Sequence, residues 1–320
     1  MTGFKNRSML TLIEYTPDEI AYIIKHSIKL KKEKANGKHK QRLKNKNIAM
    51  IFEKSSTRTR CATSVACFDE GAHAEFLSKL DIQLGKKESV KDTARVLGRM
   101  YDGILYRGFK QTTVEELSKW SGIPVINGLT DDYHPTQVLA DLMTAQEHFG
   151  SLEGLKMAYI GDGRNNMANS LLLTCGRMGM NFSIGSPKEL FPTEHFVKSA
   201  MSLKRKECSI TITENPYEAV KDADIIYTDV WVSMGEESNP DIEKRIATLS
   251  KYQVNEELMK ATGKQQTVFF HCLPATHVNG QHTMEVTEEV FESVNSLVFD
   301  QAENRIHTIK AILTLLIGDK

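Results

Sequence analysis

The sequence predicts an α/β fold of two domains, each a parallel sheet flanked by helices, on three observations. Short apolar runs alternate with stretches of helical periodicity along the chain, which is the pattern of parallel sheets covered by helices on both faces. The 320 residues amount to about two domains at ~150 residues each. Six of the apolar runs lead directly into clusters of polar residues. Open parallel sheets bind ligands at that place, beyond the carboxyl ends of their strands.

The elements follow in order. Ile48 to Phe52 reads as a buried strand. Cys61, Val65 and Phe68 then fall at i, i+4 and i+7, one helix face, with Gly71 as a stop. His73 to Leu77 is a second strand, and Val90, Ala94, Leu97 and Tyr101 make another helical face. Gly103 to Tyr106 and Pro124 to Asn127 read as strands, and Pro135 opens a helix to about His148. The alternation resumes with strands at Lys156 to Ile160, Asn181 to Ile184, Asp224 to Val230 and Val268 to His271. A long last helix is expected from about Glu303 to Ile317. The domains expected are residues 1–148 and 149–302.

Composition narrows the function classes. There are 41 basic and 41 acidic residues, with 26% charged and 40% hydrophobic, the balance of a globular chain and not of a disordered one. Ala311 to Ile317 is far too short to span a bilayer, and Met9 to Ile13 is too brief for a secretory core. Five cysteines (Cys61, Cys67, Cys175, Cys208, Cys272) are odd in number and form no C-x-x-C, and together these features lead us to expect a reduced, cytoplasmic, enzyme-sized protein. Lys29 to Lys46 holds nine Lys/Arg against Glu33 alone. In a chain of zero net charge this reads as a solvated helix end and loop, not as a nucleic-acid or membrane patch.

The chemistry lies at the strand ends. Ser55-Ser56-Thr57-Arg58-Thr59-Arg60 follows the first strand. Hydroxyls and backbone N–H groups at a helix start, with Arg58 and Arg60 beside them, form an anion cradle. With Arg107 after a neighbouring strand, three guanidinium groups are expected to converge on a phosphate or carboxylate. The Gly161-x-Gly163 loop lacks the third glycine of a dinucleotide fingerprint, and no acid closes the strand Asn181 to Ile184. His271, Cys272, His277 and His282 match no common zinc spacing. In a strand His271 and Cys272 point to opposite faces, so Cys272 is read as a ligand contact and not a nucleophile activated by His271.

Four motifs in order at matching strand ends carry a family resemblance: Ser56 to Arg60, His134-Pro135-Thr136-Gln137, Asp229 with Ser233-Met234-Gly235, and His271-Cys272-Leu273-Pro274. They resemble the motif set of the ornithine carbamoyltransferases. The similarity runs from about Ser8 to the C-terminus and includes Glu88 to Arg95 and Gln301 to Arg305. The aspartate enzymes carry His-Pro-Leu-Pro where His271 to Pro274 stands. One region departs: many bacterial members have Phe at Thr276, then an acid and a longer insertion, where only Val278 to Thr283 stands here.

The resemblance implies carbamoyl transfer from carbamoyl phosphate to L-ornithine, with a carbamoyl-phosphate domain first, an ornithine domain second, and a last helix of about residues 303–318 that packs back on the first domain and completes it. For carbamoyl phosphate it implies Ser56, Thr57, Arg58, Thr59, Arg107, His134, Gln137, Cys272, Leu273 and Arg305, with Gln83 reaching in from an adjacent subunit of a homotrimer or a multiple of trimers. Arg58, Arg107, His134 and Cys272 are the residues implied in catalysis. For ornithine it implies Asn166, Asp229, Ser233 and Met234. No metal, cofactor, nucleic acid or membrane partner is implied. Two alternatives stand beside it: a carbamoyltransferase for another amine such as putrescine, and a non-catalytic metabolite-binding protein of the same fold. Putrescine would leave Asn166, Asp229 and Ser233 with no α-amino-acid group to bind.

Overall fold

The computed structural model describes residues 3–85, 87–232, 240–278, 281–282 and 284–318. The chain divides into two compact units, Met1–Met143 with Glu303–Lys320, and Thr144–Ala302.

The first unit begins with α1 (Pro17–Ala35), started by a capping box in which Thr16 and Glu19 satisfy each other's backbone N–H groups. It continues through β1 (Asn47–Phe52), α2 (Thr57–Asp69), β2 (His73–Ser78), α3 (Val90–Met100), β3 (Gly103–Arg107), α4 (Gln111–Ser121), β4 (Val125–Leu129) and α5 (Pro135–Phe149). The strands are parallel in the order β2-β1-β3-β4. Ala49, Ile51, Ile104, Tyr106 and Val125 pack one sheet face against Ala94, Leu97, Val114 and Leu117 of α3 and α4. Each buried Ile, Leu or Val among them contributes roughly 1.5–3 kcal/mol. The strand order reverses between β1 and β3, so a crevice opens at their carboxyl ends. Ser56 to Arg60 and Arg107 stand there.

The second unit runs β5 (Lys156–Ile160), α6 (Asn166–Thr174), β6 (Asn181–Gly185), α7 (Glu194–Leu203), β7 (Ile210–Thr213), α8 (Pro216–Val220), β8 (Ile225–Thr228), α9 (Ile242–Leu249), α10 (Glu256–Lys260), β9 (Val268–His271), β10 (His277–Val278), β11 (Gln281–His282), α11 (Glu288–Phe291) and α12 (Val298–Leu316). Its parallel sheet has the order β7-β6-β5-β8-β9. Here the reversal lies between β5 and β8, above which sit Gly161 to Asn166 and Asp229. From Glu303 onward α12 belongs to the first unit, where Lys310 donates to Asp69 of α2 at 2.6 Å.

The structure differs from the sequence reading at several elements. β7 is an added edge strand, unread because Ile210–Thr213 is only half-buried. α12 starts at Val298, five residues early, since exposed Phe299 blurs the apolar stripe of its first turn. β8 ends at Thr228, leaving Asp229 beyond the strand. At the short segment β10 pairs antiparallel with β11, with His277 opposite His282; Asn279, Gly280 and Thr283 lie outside the described residues.

The basic stretch is a helix end and a loop. Lys34 bonds Asp69 at 2.6 Å, Lys40 pairs with Glu33 at 3.2 Å, and Arg42 pairs with Glu33 and Glu70. Among the described residues no helix is long and apolar enough to cross a membrane.

Candidate active site

In the first unit the anion cradle is built on the start of α2. Ser56 has extended backbone and its Oγ accepts from the Thr59 N–H at 3.2 Å, so it caps the helix. The remaining first-turn N–H groups and the positive end of the helix dipole face the crevice. Thr57 is exposed, Ser56 and Arg58 are half-buried, and Thr59 is buried. Arg107 closes β3 at a register shift between Tyr106 and Arg107 and is itself buried. Its carbonyl accepts from the Glu53 N–H at 2.8 Å, fixing the two strand ends to each other.

His134 stands one residue before α5, whose first position is Pro135, a residue suited to that place because its missing N–H is needed nowhere. The His134 ring is buried, with Nδ1 3.4 Å from Thr136 Oγ1. Burial first, then the guanidinium groups of Arg305, Arg107 and Arg58, push its pKa well below the ordinary histidine value. The imidazole is therefore neutral at pH 7, a polar group that adds no further positive charge among three cations.

Arg305, on α12, is 1% exposed. Its Nη1 donates to Gln137 Oε1 at 2.7 Å, and its Nη2 donates to Thr59 Oγ1 at 3.0 Å and Thr136 Oγ1 at 3.2 Å. One guanidinium thus ties the start of α2 to the start of α5. Gln137 in turn donates from Nε2 to Asp141 Oδ1 at 2.8 Å.

The expected trio of guanidinium groups needs a correction. Arg60 is exposed, and its guanidinium lies 3.7 Å from the centroid of the Phe76 ring, stacked toward the β2 edge. The third cation acting on His134 is Arg305. Arg58 and Arg60 are two residues apart on a helix, so they cannot share a face. Gln83 is exposed in the turn after β2, where its carbonyl accepts from the Glu88 N–H at 3.3 Å.

In the second unit Gly161 has φ +131°, a conformation that favours glycine, and turns the chain off β5. Asn165 caps α6 by accepting from the Met167 N–H at 2.7 Å, which places half-buried Asn166 at the first helical position. Asp162 accepts from the Arg164 N–H at 2.9 Å and pairs with Arg245 of α9. Asp229 is buried, and burial raises its pKa above the usual carboxylate value. Its Oδ1 accepts from the Val230 N–H at 2.8 Å and from the Cys272 thiol at 3.0 Å. Ser233, Met234 and Gly235 lie outside the described residues.

Cys272 follows β9 and does not lie within it, so the opposite-faces argument does not apply to it. The atoms of Asp229, His271 and Cys272 that would bind a metal lie within 4.8 Å of one another. The thiol nevertheless bonds Asp229, because both His271 nitrogens are engaged. Nδ1 accepts from the Leu273 N–H at 2.8 Å, so Nε2 carries the proton and donates to Glu285 Oε1 at 3.3 Å. No imidazole lone pair is left for a metal or for deprotonating the thiol. Glu285 Oε1 also accepts from the Thr276 N–H at 2.7 Å. These bonds hold the turn in which Leu273 takes φ +55° before a cis proline.

Asp141, Asp162, Arg245 and Glu285 are functional candidates that the sequence reading missed. Asp141 alone had a local signal, four residues after Gln137 and hence on the same helix face.

Two family models cover most of the chain. One, the aspartate/ornithine carbamoyltransferase carbamoyl-P binding domain, matches residues 7–147; the other, the Asp/Orn binding domain, matches residues 153–316. An ornithine carbamoyltransferase of Caldanaerobacter subterraneus is 57% identical over 312 residues, 97% of each chain. A catabolic ornithine carbamoyltransferase of Borreliella afzelii is 54% identical over 331 aligned positions, covering 99% of this chain and 100% of the relative. The solved structure of the Pyrococcus furiosus ornithine carbamoyltransferase superposes with a TM-score of 0.93 at 42% identity, over 99% of both chains. With family models matching residues 7–147 and 153–316 and relatives matched along nearly its whole length, the chain belongs to the aspartate/ornithine carbamoyltransferase family.

Proposed function

We propose that the protein transfers the carbamoyl group of carbamoyl phosphate to the side-chain amine of L-ornithine, giving L-citrulline and phosphate. The observation that carries this reading is the set of Arg58, Arg107 and Arg305 around a neutral, buried His134. Residues 1–148 with the last helix take carbamoyl phosphate, and residues 149–302 take ornithine. The α2 start, from Ser56 to Thr59, and Arg107 bind the phosphate and stabilise it as the leaving group. Thr59, Arg107 and His134 polarise the carbonyl oxygen, and Gln137 accepts from the carbamoyl NH2. Arg305, engaged with Gln137, Thr59 and Thr136, holds this set in place.

Asn166 takes the α-carboxylate of ornithine, Asp229 with Ser233 takes its α-ammonium, and Met234 is a further ornithine contact. Cys272 lies against the attacking amine. That amine reacts only when neutral, and with a lysine-like pKa of ~10.4 its deprotonation at pH 7 costs roughly 4–5 kcal/mol. A site that depresses this pKa contributes directly to rate. The charge development is met by guanidinium groups and N–H donors, so the step as drawn uses no metal or cofactor.

The working form is a homotrimer in which Gln83 completes the neighbour's carbamoyl-phosphate site. Exposed Phe68, Leu80, Val96 and Met100 support it, since they lie on α2, α3 and the loop after edge strand β2. Five free cysteines support a cytoplasmic setting. The test is citrulline formation from carbamoyl phosphate and ornithine with equimolar phosphate release. Arg58→Gly should lower turnover by ~10²–10³ with the fold intact; near-normal kinetics would place the phosphate elsewhere.

A further inference from the structure

Gln137 sits between two groups that hydrogen-bond in one direction only. Arg305 is a donor with no acceptor atom, and an ionised Asp141 accepts and cannot donate. Arg305 Nη1 meets Gln137 Oε1 at 2.7 Å, while Gln137 Nε2 meets Asp141 Oδ1 at 2.8 Å. A carboxamide turned over would set donor against donor at one end and acceptor against acceptor at the other. Gln137, Asp141 and Arg305 are 1%, 0% and 1% exposed, so no bulk solvent relieves such a mismatch. Asp141 follows Gln137 by four residues on α5, a pairing that the helix itself enforces.

We propose that Asp141 is a positioning residue that makes the site selective for a carbamoyl over an acetyl group, by locking the Gln137 amide with its oxygen toward the ligand. This deepens the carbamoyl-transfer reading and rests on it. Gln137 Oε1 has two lone pairs, of which Arg305 takes one. The second accepts an N–H of the carbamoyl group. Acetyl phosphate presents the same phosphate and carbonyl with a methyl in place of NH2. It leaves that lone pair unmet in a desolvated site, and a site built around a substrate N–H rejects the analogue lacking it. An apolar side chain at 141 takes away the acceptor for Nε2, leaves the amide held at its oxygen by Arg305 alone, and so lets Nε2 swing toward other acceptors and out of the orientation that reads NH2.

The experiment compares the wild-type enzyme with Asp141→Val, Asp141→Ala and Asp141→Asn. Citrulline formation gives KM for carbamoyl phosphate, with acetyl phosphate and inorganic phosphate as competitive inhibitors. In the wild type, KM should lie at least about tenfold below the acetyl phosphate Ki. In Asp141→Val, KM should rise about tenfold or more while both inhibition constants stay within about twofold, closing the gap. Asp141→Ala removes the same acceptor with less bulk, so whichever of the two folds reads the same ratio. Asp141→Asn keeps an acceptor oxygen and should retain most of the selectivity. Equal weakening of all three ligands would make Asp141 a merely structural support and overturn the proposal. An unchanged KM in the apolar variants would overturn it too. Failure of the wild-type protein to make citrulline would instead overturn the carbamoyl-transfer reading beneath it.

Discussion

At the scale of single residues, His134 and Cys272 show how surroundings decide chemistry. Burial, and after it three guanidinium groups, keeps His134 neutral. Carbamoyl-phosphate saturation should therefore show no histidine ionisation between pH 6 and 8, as kcat/KM against pH will test. An inflection near 6.5 that vanishes in His134→Gln would contradict that assignment. The Cys272 thiol donates to Asp229 at 3.0 Å, a bond that a serine hydroxyl can also make. Cys272→Ser should weaken catalysis without abolishing it, and a thiol reagent should inactivate the wild type unless substrate is bound. A trapped carbamoyl-cysteine would make the residue a nucleophile instead. The hydroxyl-rich strand end and the His-Pro-Thr-Gln run were legible in the sequence because each is a local motif. The partnership of Arg305 with Thr59 joins positions 246 apart in the chain, and no periodicity announces it. Arg60 was misread because adjacency in sequence was taken for adjacency in space.

At the scale of elements, α1 and α12 are held together by polar groups inside the first unit. His26 Nε2 lies 3.2 Å from Thr314 Oγ1, and His307 lies beside Glu303 and near Lys310. Burial lowers His26 to about 4, helped by Arg42 and Lys29. Burial likewise lowers His307 to about 4, against the pull of Glu303. Both are thus depressed from 6.5, so between pH 6.5 and 4 the unfolded chain binds more protons than the folded one. Stability is fully present above pH 6.5 and is lost as the pH falls toward 4. Urea midpoints should decline across that window, and His26→Gln with His307→Gln should flatten the decline. An unchanged slope in the double variant would assign the acid sensitivity to other groups. Most strands were readable from their apolar runs. The edge strand β7 was not, because an edge buries too little to leave a continuous run.

At the scale of the whole molecule, a trimeric ring joins two different patches at each interface, so a shared site makes a numerical prediction. Arg58→Gly and Gln83→Ala subunits should each be poorly active alone. Unfolded together and reassembled, they should regain about a quarter of the intact pairings. Mixed trimers no more active than the mean of their parents would show that Gln83 does not complete a neighbour. The two-domain α/β architecture was legible because strand and helix alternate and because polar clusters mark the strand ends. The three-way tie through Arg305 depends on α12 returning to the first unit, a consequence of tertiary packing that no local pattern encodes. The central claim is that a chain with this guanidinium cluster and these strand-end residues carbamoylates an α-amino acid, and substrate discrimination tests it most directly. With carbamoyl phosphate saturating, kcat/KM for L-ornithine should exceed that for putrescine by about 10³ or more, because putrescine leaves Asn166 and Asp229 without their partners. Equal values, or a preference for putrescine, would contradict the account.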